Sequence, residues 1–168
     1  GAIAYQTGLT SSLYNAARLW LNGLPGGLAV ATNFTAAGFA AASGSSLATS
    51  AAVGRLAIPE MLKFSYDKAL ATGTVAASGT LGALVPPSVA FVIYGWVTEQ
   101  SVGQRLIAGV IPGLMTAGAY TLMIVGRCIV NPKLAPSLGL KVTMAEKIAA
   151  LGQVWPMPLL VLCVIGSI

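Results

Sequence analysis

The chain contains no histidine and few charged side chains of any kind. Charged residues make up 8% of its 168 positions, and four of them are acidic: Glu60, Asp67, Glu99 and Glu146. All four are predicted to lie at membrane interfaces or in loops, and they suggest no carboxylate pair and no nucleophile and base arrangement. A Walker-type glycine loop that ends in lysine is also missing. We therefore expect no enzyme activity, no direct use of ATP and no organic cofactor.

The nine basic residues outnumber the four acids and give a net charge of +5. They are scattered singly among apolar runs and form neither a patch nor a basic helix, which argues against a nucleic-acid partner. A scattered basic excess is typical of membrane proteins, in which lysine and arginine stay in the cytoplasmic loops.

The apolar content is the strongest signal in the composition. Hydrophobic residues make up 56% of the chain and the mean hydropathy is +0.82, whereas about a quarter of the residues of a soluble domain are charged. This composition predicts an all-α membrane protein, a helical bundle in which each complete crossing takes roughly 20 apolar residues. We also expect a fragment of a longer polypeptide, since the chain starts at Gly1 without methionine and ends at Ile168 within an apolar run.

Glycines, prolines and charged positions divide the chain into segments. We expect an amphipathic interfacial arm helix at 1–24, a re-entrant hairpin at 25–62, a broken transmembrane helix at 63–98, a periplasmic loop at 99–105, a transmembrane helix at 106–127, a cytoplasmic loop at 128–144 and a further helical segment at 145–168.

Residues 25–62 admit two interpretations. One is a single tilted span with a frayed end. The other is a hairpin, in which "GGLAVATNFTAAGFAAA" descends, "SGSS" at 43–46 forms the tip and "SLATSAAVGRLAIPEML" returns to the same side. Each arm has about 15 to 17 residues, fewer than the roughly 20 of a complete crossing, and serine and glycine suit a reversal of the chain. Length therefore favours the hairpin.

The basic residues predict the orientation. The segments 55–68 and 127–147 hold seven of the nine basic residues, whereas 99–105 holds only Arg105. Two crossings between the basic segments return the chain to the same side, so both are predicted to be cytoplasmic and 99–105 periplasmic or external. The hairpin then enters from the cytoplasmic side.

The stretch "ASGTLGALVPPS" at 77–88 interrupts an uncharged apolar run. Pro86 and Pro87 lack amide hydrogens, so the helix is expected to open at 79–88 and free backbone carbonyls before them: those of Gly79, Leu81 and Gly82. In hydrocarbon, irregular backbone persists only where protein or a water-filled cavity surrounds it. Taken alone, this break is more typical of a proline kink that binds nothing. The second cluster of hydroxyls and glycine at 43–46 favours an ion and substrate site shared by the two.

Three long stretches carry a family resemblance: "PGGLAVATNFTAAGFAAASGSSLATSAAVGRLAIPEM", "YDKALATGTVAASGTLGALVPPSVAFVIYG" and "SVGQRLIAGVIPGLM". With them the chain resembles the large membrane subunit of TRAP transporters, the tripartite ATP-independent periplasmic transporters. The resemblance runs from about Leu13 to the end of the chain. Its motifs "SGSS", "SGTLG", "PPS" and "PG" occur in the family's order and spacing. Ser65, in "FSYDK", stands where the family more often has glycine.

The resemblance implies one half of an elevator-type secondary transporter that is built from two inverted repeats. The chain would be the first repeat, and 145–168 would begin the second with an arm and a truncated transmembrane helix. Coupling to Na⁺ is implied, with eight residues at the ion sites: Ser43, Gly44, Ser45, Ser46, Ser78, Gly79, Thr80 and Gly82. The implied substrate contacts are Pro86, Pro87 and Ser88.

The implied substrates are organic acids such as C4-dicarboxylates or sialic acid, taken up across the bacterial inner membrane. A periplasmic substrate-binding protein, a small four-helix membrane subunit and membrane lipid are the implied partners. Two alternatives remain open at this point. One is an elevator-type symporter of anions and sodium that needs no binding protein, and the other is a structural membrane subunit that transports nothing.

Overall fold

The computed structural model describes residues 8–99, 101–136 and 143–155, together with Leu159 and Cys163. All regular secondary structure in these ranges is helical, as the composition predicts. The predictions for 1–7, 137–142 and most of 156–168 concern residues outside the described ranges. The helices are α1 (Leu9–Leu21), α2 (Gly27–Ser43), α3 (Ser46–Lys63), α4 (Lys68–Gly79), α5 (Leu81–Leu84), α6 (Val89–Val97), α7 (Val102–Val130), a 3₁₀ turn (Pro132–Leu134) and α8 (Met144–Val154).

Helices α2 and α3 form a hairpin whose turn, residues 43–46, we call the tip. Gly44 ends α2 in the left-handed region, with φ of 61°, and donates its N–H to the Ala40 carbonyl at 2.8 Å. Ser45 is extended, and its hydroxyl accepts the Ala48 N–H at 3.3 Å, which caps the start of α3. Gly44 and Ser45 are the residue types that favour a helix end and a helix start at these positions.

Helix α2 lies at the centre of the fold. Its buried residues include Leu28, Val30 and Phe39, and it packs against α1, α3, α4, α5 and α7. A helix that is apolar on all sides is stable only when other elements surround it. The remaining large members of the core come from several elements, among them Tyr14 on α1, Val53 and Met61 on α3, and Ile124 on α7.

Among the described residues, two segments are long and apolar enough to cross a membrane: Lys68–Val97, which contains α4 to α6, and Val102–Val130, which is α7. Helix α7 is longer than predicted. Four residues of the predicted loop at 99–105 are helical, and the helix passes through Pro112 and ends only at Val130. A proline removes one helical hydrogen bond, and the long apolar helix continues around that position.

The open end of the hairpin, which we call the base, is closed by contacts with the segments that follow it. The Leu28 N–H donates to the Tyr66 hydroxyl at 3.3 Å, and the Asp67 N–H donates to the Leu134 carbonyl at 3.0 Å. Burial raises the pKa of Tyr66 above its ordinary value. An ion pair between Arg18 and Glu60 joins α1 to the last turn of α3. The base therefore gathers the ends of α1, α3 and α7 and the start of α4.

Candidate functional site

The segment Lys68–Val97, which is long and apolar enough to cross a membrane, is interrupted at residues 79–88, which we call the break. Helix α4 ends at Gly79, the single turn α5 follows, and the backbone is extended at Val85 and Ser88. The peptide bond between Pro86 and Pro87 is cis. The chain therefore changes from helical to extended backbone inside a segment that is long enough to span a bilayer.

One detail of the predicted break was wrong. The Leu81 carbonyl was expected to be free, but it accepts the Val85 N–H at 2.8 Å because residues 81–84 keep a helical turn. The carbonyls that lose their helical donors begin at Gly82 and not at Leu81. In a continuous helix the Gly82 and Ala83 carbonyls would accept from residues 86 and 87, and proline at both positions removes these donors. The Ser88 hydroxyl, which is fully buried, replaces one of these donors by bonding the Ala83 carbonyl at 2.7 Å.

The tip and the break lie in direct contact. The Val89 N–H, at the start of α6, donates to the Gly44 carbonyl at 3.3 Å. A Cβ atom at Gly44 would overlap the Pro87 carbonyl oxygen, and one at Gly82 would lie 2.7 Å from the Ser45 carbonyl oxygen and the Ser46 nitrogen. Glycine at these two positions lets one backbone approach the other this closely. The structure thus brings together the two clusters that the sequence places 30 or more residues apart.

The polar groups of the tip bond to one another and to the first turn of α3. The Ser43 and Thr49 hydroxyls lie 3.1 Å apart, and Thr49 also donates to the Ser45 carbonyl at 2.8 Å. Thr49 is fully buried one turn into α3, and the Ser50 hydroxyl beside it faces the Cα of Gly79. Neither Thr49 nor Ser50 was singled out from the sequence, although "SSLATS" shows that the hydroxyls extend beyond "SGSS".

Two of the predicted residues on the α4 side have other partners. The Ser78 hydroxyl donates to the Asn33 amide oxygen at 3.0 Å and is buried. Thr80 is exposed, and its hydroxyl donates to the Ala77 carbonyl at 2.6 Å and lies 3.1 Å from the Tyr120 hydroxyl. Ser78 therefore belongs to the buried side of the break, whereas the Thr80 side chain faces α7.

Asn33 connects three helices and was missed by reasoning from the sequence. Its amide nitrogen, on α2, donates to the Ala117 carbonyl at 2.8 Å and to the Thr121 hydroxyl at 3.0 Å, both on α7. Its amide oxygen accepts from Ser78 on α4. The signal was a lone amide in the uncharged helix "ATNFTAAGF", because a buried amide requires partners for all its polar atoms.

Four helix ends converge where the tip meets the break. The C-terminal ends of α2 and α4, at Ser43 and Gly79, present partial negative charge, and the N-terminal ends of α3 and α6, at Ser46 and Val89, present partial positive charge. The described residues contain no group of three or more Cys, Asp or Glu side chains that could hold a metal. A cation here would therefore be held by hydroxyl and carbonyl oxygens, and an anion by the N-terminal helix ends.

The family model described as tripartite ATP-independent periplasmic transporter, DctM component, matches residues 1–168. The C4-dicarboxylate TRAP transporter large permease protein DctM of Pseudomonas aeruginosa is 38% identical over 100% of this chain and 39% of its own length. The isethionate TRAP transporter permease protein DctMQ of Oleidesulfovibrio alaskensis is 46% identical over 65% of this chain and 17% of its own. The sialic acid TRAP transporter large permease protein SiaM of Vibrio cholerae is 37% identical over 73% of this chain and 29% of its own length.

The chain thus spans about two fifths of the first relative and smaller shares of the other two. The match of the family model along the whole chain confirms the resemblance seen in the motifs. The chain belongs to the DctM family, the large permease component of the tripartite ATP-independent periplasmic transporters.

Proposed function

We propose that this chain is the first repeat of a sodium-coupled permease that takes up organic anions across a bacterial inner membrane. The observation that carries the proposal is the contact between the tip and the break, where four helix ends meet beside neutral oxygens. Discontinuous helices of this kind supply carbonyl oxygens for a sodium ion and N-terminal ends for an anion. In our proposal Na⁺ is bound by oxygens of eight residues: Ser43, Gly44, Ser45, Ser46, Ser78, Gly79, Thr80 and Gly82.

The substrate in our proposal binds beside the ion, against Pro86, Pro87 and Ser88. The N-terminal end of α6 begins there at Val89 and offers backbone N–H groups to an anion. The relatives are named for C4-dicarboxylate, isethionate and sialic acid, which supports an organic anion as the class of substrate.

The hairpin is proposed to be re-entrant and to enter from the cytoplasm. Helices α2 and α3 have 17 and 18 residues, so each is about 26 Å long and shorter than a hydrocarbon core of roughly 30 Å. The base that closes them lies beside basic positions on three elements: Lys63, Lys68 and Arg127. This charge at one end supports a cytoplasmic base and a tip inside the membrane.

The partners and the transport cycle also belong to the proposal. A periplasmic substrate-binding protein would deliver the anion, and a small four-helix membrane subunit would hold the moving part in an elevator-type cycle. Membership of a tripartite family supports a three-component system.

Uptake by the reconstituted full-length permease tests the proposal. The complete permease, its small subunit and its binding protein are placed in proteoliposomes, and uptake of radiolabelled substrate is measured with a sodium or a potassium gradient. We expect uptake only with sodium. The Ser45→Leu variant should lose uptake at normal expression, while Thr72→Leu, which changes an exposed threonine of α4 remote from the tip, should keep it.

The same experiment separates the alternatives. Uptake without the binding protein would favour a symporter that works alone. Normal sodium-dependent uptake by Ser45→Leu would contradict the assignment of the ion site. No transport with any gradient, together with a thermal stability that does not respond to sodium, would favour a structural subunit.

A further inference from the structure

Asn33 is fully buried on α2 and lies one hydrogen bond away from the proposed ion site. Its amide nitrogen donates to the Ala117 carbonyl at 2.8 Å and to the Thr121 hydroxyl at 3.0 Å. Its amide oxygen accepts from the Ser78 hydroxyl at 3.0 Å. Ser78 is one of the eight residues proposed to bind Na⁺, and Asn33 is not.

The two partners on α7 determine which way the amide group of Asn33 faces. The Ala117 carbonyl can only accept a hydrogen bond. The Thr121 hydroxyl has a single hydrogen, and it donates this hydrogen to the Ala117 carbonyl at 2.9 Å. Both groups therefore require a donor, so the NH₂ group of Asn33 faces α7 and its oxygen faces α4.

This orientation decides the direction of the bond between Asn33 and Ser78. An amide oxygen carries no hydrogen, so the single hydroxyl hydrogen of Ser78 is donated to Asn33. Towards its other neighbours the Ser78 oxygen then presents lone pairs alone, so it can coordinate a cation but cannot donate a hydrogen bond. Neutral oxygens of this kind are the ligands of sodium sites between discontinuous helices.

The Ser78 hydroxyl differs in this respect from other hydroxyls of the helices. Those of Thr32 and Thr35 donate to the carbonyl four residues earlier in their own helix, which is a common arrangement for serine and threonine. The Ser78 hydroxyl is held by a neighbouring helix instead. It precedes Gly79, whose Cα faces the Ser50 hydroxyl of α3. The held hydroxyl therefore lies beside the place where the end of α4 meets the hairpin.

We propose that Asn33 is a positioning residue of the sodium site and acts through Ser78. The inference rests on the proposed function, in which Na⁺ binds where the tip meets the break. Asn33 holds the Ser78 hydrogen towards α2, so the Ser78 oxygen presents its lone pairs to the ion before the ion arrives. The two bonds to α7 keep the amide from turning its NH₂ group towards Ser78.

Sodium titration of the thermal stability of the full-length permease tests this proposal without a transported substrate. Melting temperatures are measured in detergent at increasing NaCl, with KCl keeping the ionic strength constant. An ion that binds the folded state raises the melting temperature by an amount set by its concentration relative to its dissociation constant. We call the sodium concentration that gives a fixed rise the sodium requirement.

Asn33→Leu should raise the sodium requirement about tenfold, because residues that orient metal ligands typically change metal affinity roughly 10- to 100-fold when they are replaced. A purely structural role of Asn33 would lower the melting temperature without sodium and would leave the sodium requirement unchanged.

Asn33→Thr provides the same test without placing a large apolar group beside Ser78. A threonine hydroxyl ends one bond short of the amide oxygen and bonds its own helix, as those of Thr32 and Thr35 do. It removes the acceptor of Ser78, so the sodium requirement should rise as in Asn33→Leu. The matched control is Thr35→Val, which is buried on the same helix and should leave the sodium requirement unchanged.

A double-mutant cycle shows whether Asn33 acts through Ser78. Ser78→Ala removes the proposed ligand and should itself raise the sodium requirement. When residue 78 is alanine, Asn33→Leu should raise the requirement by less than about twofold more, because Asn33 then has no ligand to orient.

Three results would overturn the proposal. The first is an unchanged sodium requirement in both Asn33→Leu and Asn33→Thr, which would leave the proposed sodium site in place and give Asn33 a structural role. The second is an equal effect of Asn33→Leu with and without the Ser78 hydroxyl. The third is no sodium-specific rise in the unchanged protein, which would contradict the sodium-coupled function itself.

Discussion

Replacing Asn33 with alanine should destabilise the protein by about 2 to 4 kcal/mol. The change leaves the buried Ser78 hydroxyl without its acceptor, and a buried unsatisfied group costs about 1 to 3 kcal/mol. It also removes the two bonds that the amide nitrogen makes to α7, at 2.8 and 3.0 Å. The Thr121 hydroxyl keeps its own bond to the Ala117 carbonyl, so no hydroxyl of α7 is left without a partner, whereas the Ser78 hydroxyl of α4 is.

A double-mutant cycle isolates the bond between Asn33 and Ser78. Unfolding of the full-length permease is measured in detergent without sodium for Asn33→Ala, Ser78→Ala and the double variant. Removing both partners leaves no orphaned group, so the double variant should be more stable than the sum of the single effects predicts. We expect a coupling between about 0.6 and 1.7 kcal/mol, which are the average and the maximum measured for hydrogen bonds between membrane helices.

The matched control uses Thr35, which is buried on α2 like Asn33. Its hydroxyl donates to the Ala31 carbonyl of the same helix and not to a neighbouring helix. Thr35→Val and Ser78→Ala share no partner, and their effects should add to within about 0.5 kcal/mol. If the effects of Asn33→Ala and Ser78→Ala on stability also added to within about 0.5 kcal/mol, Asn33 would not connect α2 to α4 in the folded protein. The description of this contact would then be wrong.

Three further predictions concern single positions. Ser65→Gly should stabilise the protein by about 0.5 to 1 kcal/mol in thermal unfolding, because Ser65 has φ of 59° and glycine adopts this conformation without strain; Ser101→Gly, where φ is −55°, should bring no gain. Gly82→Ala should abolish sodium-dependent uptake, since the added Cβ would lie 2.7 Å from the backbone of the tip; retained uptake would show that the break moves away at no cost. Hydrogen bonds from Thr143 lower the pKa of Glu146, so the cap of α8 should persist above pH of about 4.3 and be lost as the pH falls through the lowered pKa. Hydrogen exchange of α8, corrected for the intrinsic rate, should become faster as the cap is lost. In the Glu146→Gln variant, whose side chain does not titrate, the corrected exchange of α8 should not change with pH.

The sequence predicted where the helices end at the tip and the break, because local chemistry decides these positions. Gly44 and Ser45 are residue types that end and start helices, and Pro86 and Pro87 cannot continue one. The family resemblance implies that glycine is more common than serine at position 65, and the left-handed backbone of Ser65 gives a physical reason for that preference.

The remaining features depend on partners that are far away in the chain. Asn33 bonds residues 45, 84 and 88 positions later, and no local pattern reveals them. The single turn at 81–84 and the passage of α7 through Pro112 depend on surrounding helices that stabilise an imperfect hydrogen-bond pattern. Sequence periodicity reports which face is apolar, but it does not report what packs there.

The position of Asn33 has a consequence for biosynthesis. Helix α2 leaves the ribosome well before α7, since Thr121 is 88 residues further along the chain. At about 5 to 20 residues per second, this interval lasts roughly 4 to 18 s. Ser78, 45 residues after Asn33, is made about halfway through this interval, and the two partners on α7 are made only at its end. The hairpin is therefore expected to wait at the translocon or the membrane surface until α7 arrives. Helix α2 is therefore expected to reach its final position only once α7 is present, although α2 is made much earlier.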